Sequence, residues 1–348
     1  MLVQPRLALV MIVRDEAARI ARCLDSARAL VDDIVVLDTG SLDATPAIAA
    51  AHGARVFSFD WCDDFAAARN AALDHSDADW NLILDGDEWL DAGATRAALD
   101  VLLNAAPRVG VLPVTSSFDL QDRVESAVQW LPRLLPRGVR YAGRIHEQPV
   151  SSLPRERIAL TVRHDGYRRA ALERKHGRND ALLRRALQDA PGDPYLLYQL
   201  GKNDEVYGAY APASNNYLAA LAQAGGEPWR HDLVVRTLFC LKKTERHADA
   251  VALAEGEGDR WEASPDFYFV LGDVLLDWAA AEPGQAGELL PVAEGCWQRC
   301  LDLGERADLD GAVAGRGSYL AAHNLTVLYD SLGMAEEAQR YRMLAVRP

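Results

Sequence analysis

The stretch WNLILDGDEWL, residues 80–90, decides the fold of the first half of this 348-residue chain. It begins with a run of apolar and β-forming residues, which is typical of a strand buried in a sheet. Three carboxylates, on Asp85, Asp87 and Glu88, follow immediately. The stretch therefore predicts a core strand that ends in a cluster of negative charge.

Upstream of this strand, similar strands alternate with helical patterns. The predicted strands are LALVMIV, DIVVLDTG and RVFSF, which begin at residues 7, 33 and 55. Helical spacing marks the segments that follow them, at residues 17–31, 44–54 and 65–76. Continuous apolar strands separated by helices predict an α/β domain with a mostly parallel sheet that is covered on both faces.

Ligands of such sheets bind beyond the carboxyl ends of the strands. Asp38, Asp64 and the carboxylates of residues 85–88 all follow predicted strands and should share that rim. Asp85 and Asp87 offer hard oxygen ligands, and Gly86 between them permits a tight turn. Because Mg²⁺ and similar ions held by one or two carboxylates complete their shell with substrate phosphates, the rim predicts a site for a nucleotide diphosphate.

The second half of the chain is helical and repetitive. The stretch DPYLLYQLGKNDEVYGAYAPASNNYLAAL, residues 193–221, has the spacing of small and large apolar residues found in a tetratricopeptide unit, a two-helix repeat of about 34 residues. Residues 322–345 repeat these offsets, and degenerate copies lie between the two stretches. Such pairs stack into a solenoid. We therefore predict two domains, residues 1–167 and 168–348.

Composition excludes several classes of function. The net charge of −14 argues against a general affinity for nucleic acid, which needs a basic surface. The five cysteines are scattered and form no C-x-x-C pair, which favours reduced thiols in a cytoplasmic protein. No secretion signal and no run of eighteen apolar residues is found, so no transmembrane segment is expected.

Three N-terminal motifs together strongly resemble the family-two glycosyltransferases, which have the GT-A fold. They are LALVMIVRDEAARIARCLDS at residues 7–26, WCDDFAAARNAAL at 61–73 and LILDGDEWL at 82–90. The combination of WCDDFAAARN, GRIHEQ and HDGY with a tetratricopeptide tail resembles the subgroup that includes sublancin-type peptide S-glycosyltransferases. The resemblance covers nearly the whole chain. It implies a GT-A, Rossmann-like domain followed by an all-α tetratricopeptide solenoid.

The resemblance implies a pocket for a UDP-sugar donor. Val13 and Glu16 would line the nucleotide pocket, and Asp38 would hydrogen-bond the uracil or the ribose, with Arg69 nearby on its helix. At one position the sequence departs from the family, because Asp15 stands where an Asn is usual. Any contact that the family makes through that amide is therefore in doubt.

The same resemblance divides the roles of the acidic cluster. Asp85 would face the ribose or the sugar, and Asp87 would bind Mn²⁺ or Mg²⁺ on the diphosphate. In GRIHEQ, His146 would complete the metal shell or contact the diphosphate, and Arg144 would neutralise phosphate charge. His164 and Tyr167 of HDGY would close the site or serve as a hinge.

An inverting transfer needs a carboxylate within hydrogen-bond reach of the acceptor proton. Glu147 is the first candidate for this base, and Glu88 and Asp64 are alternatives of the same chemical type. The expected catalytic residues are therefore Glu147, Asp87 and His146.

Three hypotheses for function follow. The first is a metal-dependent inverting glycosyltransferase whose helical repeats present a peptide or protein acceptor, or form a homodimer. The second keeps the chemistry but builds a cell-envelope glycan or lipopolysaccharide core, and the arginine-rich residues 133–144 would then contact anionic lipid or serve the phosphates. The third is a tetratricopeptide scaffold with an inactive transferase domain.

Overall fold

The structure is a computed structural model and describes residues 4–93, 95–120, 123–167 and 177–346. The chain divides into two units, residues 1–186 and 187–348. The predicted domain boundary, between residues 167 and 168, adjoins a segment that lies outside the described residues, and so does the side chain of Tyr167.

Four parallel strands and three helices form the first part of unit one, as the sequence predicts. The strands are β1 (Leu7–Val13), β2 (Asp33–Asp38), β3 (Arg55–Ser58) and β4 (Trp80–Ile83), and the helices are α1 (Ile20–Ala27), α2 (Thr45–Ala51) and α3 (Phe65–Asp74). The strand order is β3-β2-β1-β4, and each pairing is parallel. All four carboxyl ends therefore meet at one rim of the sheet.

The sheet continues through strands that sequence periodicity predicts only as an extension. These are β5 (Glu88–Leu90), β6 (Val109–Leu120), β7 (Arg123–Pro136), β10 (Arg155–Arg157) and β11 (Val162–Tyr167), with α4 at Arg96–Leu103. The order continues β4-β7-β6-β11-β5, and β10 pairs with β6. Because β7 runs antiparallel to β4 and β6, this half of the sheet is mixed. The strands β8 (Arg140–Ala142) and β9 (Gln148–Val150) form a separate hairpin.

Alternation along β1 explains how the sheet is covered on both faces. Leu7, Leu9 and Met11 lie in one apolar cluster, which also contains the buried residues of α1. Ala8 and Val10 lie in the other cluster, which contains the alanines of α3. Since both faces are covered, every residue of β1 is buried, and the run LALVMIV has no polar position.

Strand register places further residues beside the acidic cluster. Leu82 of β4 pairs with Leu134 of β7, so Arg133 lies one step further toward the rim. His164 of β11 pairs directly with Glu88 of β5. Both residues reach the end of β4 from strands that are distant in sequence.

Unit two consists of paired helices, in agreement with the repeat prediction. Helix α5 (Arg178–Asp189) crosses the division between the two units along the chain. Four pairs follow it: α6 (Pro194–Val206) with α7 (Tyr210–Leu221), α8 (Arg230–Lys243) with α9 (His247–Glu257), α10 (Pro265–Ala281) with α11 (Ala286–Leu303), and α12 (Tyr319–Ser331) with α13 (Ala335–Arg342). A 3₁₀ turn at Pro283–Gln285 and a short strand β12 (Ala312–Val313) complete the unit. In the part of the chain that the structure describes, no helix has both the length and the apolar composition needed to cross a membrane.

Small residues allow the paired helices to approach closely, as the repeat pattern predicts. A Cβ built on Gly272 of α10 would lie 2.7 Å from Nε1 of Trp297 in α11, and one on Gly201 of α6 would collide with the Tyr217 ring of α7. Gly208, between α6 and α7, has a φ of +75°. A left-handed conformation at this turn favours glycine over any residue with a side chain.

Candidate functional site

Hydrogen bonds between Asp85 and Glu88 hold the turn that carries the acidic cluster. Glu88 donates its backbone N–H to the Asp85 carbonyl at 3.0 Å, and its side chain accepts from the Asp85 backbone N–H at 2.9 Å. Gly86 lies against Glu16, because a Cβ at Gly86 would stand only 2.7 Å from Glu16 Cγ. A residue larger than glycine at this position would therefore displace Glu16.

Asp85 lies between two arginines. Its Oδ1 accepts from Arg69 Nη2 of α3 at 2.5 Å, and its Oδ2 accepts from Arg133 Nη2 of β7 at 3.1 Å. Burial opposes ionisation, but the two guanidinium groups hold the pKa of Asp85 well below its usual range. Asp85 is thus a carboxylate, and each of its oxygens already has a donor within the protein.

Arg133 also neutralises Glu88. Its Nη2 donates to Glu88 Oε1 at 2.5 Å, and both side chains are almost fully buried. Burial raises the pKa of Glu88, and Arg133 opposes this rise. Sequence reasoning missed this role for Arg133, because only the antiparallel register of β7 on β4 places it here. The apolar residues on both sides of it, in WLPRLLP, were the one available sign that it is buried.

Asp87 points to a different set of partners. It is 5% exposed, and its Oδ2 lies 3.5 Å from His164 Nε2 and 4.0 Å from Arg19 Nη1. The other ring nitrogen of His164, Nδ1, is 3.0 Å from Ser116 Oγ, which orients the ring. The structure therefore brings His164 into the site, where the sequence left its role undecided between closing the site and serving as a hinge.

The donor set suits a hard cation that is shared with a ligand. Among the described residues, no group of three or more His, Cys, Asp or Glu side chains is arranged to hold a metal ion by itself. Asp87 and His164 are close enough to bind one ion together, whereas both oxygens of Asp85 already accept from arginines. A cation with two protein ligands would complete its shell with phosphate oxygens and water.

The GRIHEQ motif forms the loop of the β8–β9 hairpin and reaches the same site. Glu147 Oε1 accepts from Arg69 Nε at 2.9 Å. Arg144 Nη1 lies 4.0 Å from Asp64, the N-cap residue of α3. His146 adopts a φ of +51°, which is unusual for a residue other than glycine and typical of functional loops. Arg69 and Glu147 thereby connect this loop to the acidic cluster.

The residues predicted for the nucleotide pocket lie at the carboxyl ends of β1 and β2. Val13 is paired in register with Asp38, whose Oδ2 accepts from the backbone N–H groups of Gly40 and Ser41 at 3.2 and 3.1 Å. Glu16 pairs with Arg19 at 2.7 Å, and Arg19 in turn faces Asp87. These contacts place the expected nucleotide residues beside the expected metal ligand.

Asp15, the departure from the family pattern, has a role that needs only an acceptor oxygen. Its Oδ1 accepts from the Leu42 backbone N–H at 2.7 Å. An asparagine oxygen would make the same bond, so the loop after β2 is held by a side chain of either type.

Known proteins resemble both halves of the chain. Residues 8–146 match the family model of glycosyl transferase family 2. A TPR repeat-containing protein of Synechococcus elongatus is 34% identical over 283 residues, which cover 74% of this chain and 66% of that protein. The SPbeta prophage-derived glycosyltransferase SunS of Bacillus subtilis is 26% identical over 260 residues, which cover 70% of this chain and 60% of that protein. The chain thus spans about two thirds or less of the curated relatives it matches.

One solved structure overlaps a smaller part of the chain. It is glucosyl-3-phosphoglycerate synthase from Mycobacterium tuberculosis, in complex with Mn²⁺, uridine diphosphate and glucosyl-3-phosphoglycerate. The identity is 24%, the overlap covers 32% of this chain and 44% of that chain, and the TM-score is 0.27. The family assignment therefore comes from the family model and the sequence relatives. Residues 8–146 therefore form a glycosyl transferase family 2 domain, and helical pairs of the tetratricopeptide type follow it.

Proposed function

We propose that this chain is a metal-dependent inverting glycosyltransferase that moves a sugar from a UDP-sugar to a peptide or protein side chain. The observation that carries the proposal is that Asp85 and Asp87, at the end of β4, have different partners. Asp85 is neutralised by Arg69 and Arg133, while Asp87 faces His164 and Arg19 at the rim. This gives one carboxylate that is fixed between two arginines and a second one, beside a histidine, that we propose as the ligand of a cation.

The donor would lie along the carboxyl ends of β1, β2 and β4. Val13, Glu16 and Asp38 would contact the nucleoside, and Arg69 and Arg144 would face the diphosphate. Arg69 Nη1 supports this placement, because it is buried and has no hydrogen-bond partner among the described residues. A buried guanidinium N–H without an acceptor is costly, and an oxygen of the donor would satisfy it.

Mn²⁺ or Mg²⁺ is the proposed cofactor, with Asp87 as its first ligand. The sequence predicts His146 as the second ligand, and the contact between Asp87 and His164 supports His164 in that position. When bound, the ion would neutralise the negative charge that develops on the leaving diphosphate. His164 would keep the ring orientation set by Ser116, and Arg19 would stay close enough to balance Asp87 before the donor binds.

The base must take the acceptor proton on the side of the sugar opposite the leaving group. Three carboxylates were candidates, and the structure gives each of them partners. Glu88 is buried against Arg133, Glu147 accepts from Arg69, and Asp64 caps α3 through the Ala67 backbone N–H at 2.9 Å. Asp64 is the most accessible of the three, with 28% of its side chain exposed.

A peptide or protein acceptor is supported by the solenoid and by the likeness to SunS. Stacked helical pairs offer an extended surface of the kind that binds extended chains. The repeats are also the proposed surface for a homodimer. Cytoplasmic location remains our proposal, based on scattered cysteines that are all free thiols in the structure.

The cell-envelope alternative depends on a basic surface for anionic lipid, and the arginines of residues 133–144 are already engaged. Arg133 is buried against Glu88, Arg137 pairs with Asp79 at 3.4 Å, and Arg140 pairs with Asp74 at 2.7 Å. Each of these arginines faces a carboxylate, which reduces the net positive charge that the stretch offers to an anionic lipid. The inactive-scaffold alternative is disfavoured by the intact set of contacts around Asp85 and Asp87.

Nucleotide release tests the proposal. The protein is incubated with a panel of UDP-sugars and Mn²⁺, and UDP is measured with and without EDTA. We expect slow release that EDTA abolishes and that Asp87→Asn no longer shows. Asp91→Asn is the matched control, because Asp91 lies just past the cluster and pairs with Arg163 on the surface. If no UDP-sugar binds or is cleaved, the proposal is wrong, and if Asp87→Asn keeps the full metal-dependent rate, the metal assignment is wrong.

A further inference from the structure

Five side chains of alternating charge form a continuous series of ion pairs centred on Asp85. They run in the order Glu147, Arg69, Asp85, Arg133 and Glu88. The joining distances are 2.9 Å from Glu147 to Arg69, 2.5 and 3.1 Å from Asp85 to its two arginines, and 2.5 Å from Arg133 to Glu88. Each side chain pairs with a neighbour of opposite charge. A substitution at Glu147 is therefore expected to change the orientation of Arg69, its direct partner.

Within this chain, Glu147 fixes the direction of Arg69. A guanidinium is planar, so two bonds that leave from Nε and Nη2 determine where Nη1 points. Arg69 makes these two bonds to Glu147 and to Asp85. Its Nη1 is then left, buried, with no acceptor among the described residues.

The hairpin that carries Glu147 is attached to the helix that carries Arg69. Asn70 of α3 donates to the Tyr141 carbonyl at 3.0 Å and accepts from its backbone N–H at 2.8 Å. The Phe65 backbone N–H donates to the Arg144 carbonyl at 2.8 Å. These bonds hold Glu147 at a fixed distance from Arg69, with only 11% of its side chain exposed.

We infer that Glu147 is a positioning residue, which aims the Nη1 of Arg69 at an oxygen of the donor diphosphate, and that it is not the base. The inference rests on the proposed function. A base has to reach the acceptor proton, whereas Oε1 of Glu147 accepts from Arg69 and only 11% of the Glu147 side chain is exposed. The required property of Glu147 is then an acceptor oxygen at the right distance, and its negative charge is secondary.

Two conservative variants separate the two roles, because they change opposite properties. Glu147→Gln keeps the length and an acceptor oxygen but removes the charge, and Glu147→Asp keeps the charge but shortens the side chain. For each variant, the dissociation constant of UDP with Mn²⁺ is measured by calorimetry, and UDP-sugar cleavage is followed as a function of pH. Asp74→Asn is the matched control, since it removes the Arg140 ion pair between the same helix and hairpin at the surface.

A positioning role predicts that Glu147→Gln binds UDP more tightly than Glu147→Asp. We expect it to bind UDP within about twofold of the unmodified protein and to keep the acid limb of its pH–rate profile, whereas Glu147→Asp binds about tenfold more weakly. Asp74→Asn should match the unmodified protein. The reverse order overturns the inference: a loss of turnover of about a hundredfold in Glu147→Gln, with unchanged UDP binding and no acid limb, identifies Glu147 as the base. The proposed function fails separately, if the unmodified protein binds no UDP.

Discussion

His164 Nε2 lies 3.5 Å from Asp87 Oδ2, although the two residues belong to segments that are far apart in the sequence. The contact arises because β11 runs antiparallel to β5 and pairs His164 with Glu88, the residue next to Asp87. A histidine and a carboxylate this close could both bind one divalent cation. Under the proposed function, the other ligands of that cation would come from the donor phosphates and water.

His164→Ala should therefore weaken Mn²⁺ binding in the presence of UDP. We expect a loss of at least about tenfold, as for other changes to metal sites, measured by electron paramagnetic resonance of free Mn²⁺. His52→Ala is the control, because His52 pairs with Asp25 away from the rim and should bind normally. A larger loss in His146→Ala than in His164→Ala would instead support the sequence-based ligand pair of Asp87 and His146.

Arg133→Met should destabilise unit one. It leaves Glu88 and Asp85 without a shared partner, and an uncompensated buried charge costs about 3–5 kcal/mol. The free energy of unfolding by urea measures this loss. Arg140→Met is the control, because the side chains of the Arg140–Asp74 pair are 48% and 64% exposed and the pair should contribute less than about 1 kcal/mol. Equal stability of the two variants would contradict a buried role for Arg133.

Gly86→Ala should reduce both stability and UDP affinity. The added Cβ would lie 2.7 Å from Glu16 Cγ and 3.0 Å from Glu16 Cβ, so the loop after β1 must move. Overpacking of this kind costs about 1–3 kcal/mol. Thermal unfolding and UDP calorimetry report the two effects. Gly93→Ala is an informative comparison, because its positive φ of +105° strains any side chain while leaving space around it. That variant should lose stability without losing UDP affinity.

Asp232 should make the stability of unit two depend on acid pH. This buried carboxylate accepts from Arg236 Nε at 2.8 Å and from the Tyr198 hydroxyl. Burial opposes its ionisation, but Arg236 and Lys202 lower the pKa of Asp232 to about 2. The unfolded chain has the higher pKa, so it binds more protons between about pH 4 and pH 2, and stability falls as the pH is lowered through that window.

The expected size of this effect is roughly 2 kcal/mol, from a pKa difference of about two units. Urea unfolding at pH 5 and at pH 2.5 measures it. Asp232→Asn should be less stable at pH 5 and should lose that share of the pH dependence. If the variant keeps the full pH dependence, another carboxylate is responsible.

The sequence was sufficient to predict the first four parallel strands and the edge of the sheet at which they end. Apolar runs such as LALVMIV are long enough to identify a strand covered on both faces, and Asp38, Asp85 and Asp87 follow from the rule that ligands meet the carboxyl ends of parallel strands. Gly201 and Gly272 likewise predicted close helix pairs, and the structure confirms them.

The second half of the sheet could not be predicted in the same detail. Pro113 and Pro132 interrupt the alternation of β6 and β7, and a register irregularity lies between Gly110 and Val111. Antiparallel register over such distances is decided by tertiary packing, and a shift of one residue would turn Arg133 to the other face. The positions of Arg133 and His164 in the site could therefore not be predicted from the local sequence pattern.

Asp85 and Asp87, the two aspartates of the DGD turn, should have different effects when they are mutated. Asp85 is held by an arginine on each side, so its loss would disturb the folded rim. Asp87 instead lies beside His164, which we propose as a second ligand of the cation. In the proposed enzyme, a related chain that kept Asp85 but replaced Asp87 would keep the contacts that hold the rim together and would lose the first ligand of the proposed cation. A single substitution could then remove the proposed activity without removing the fold.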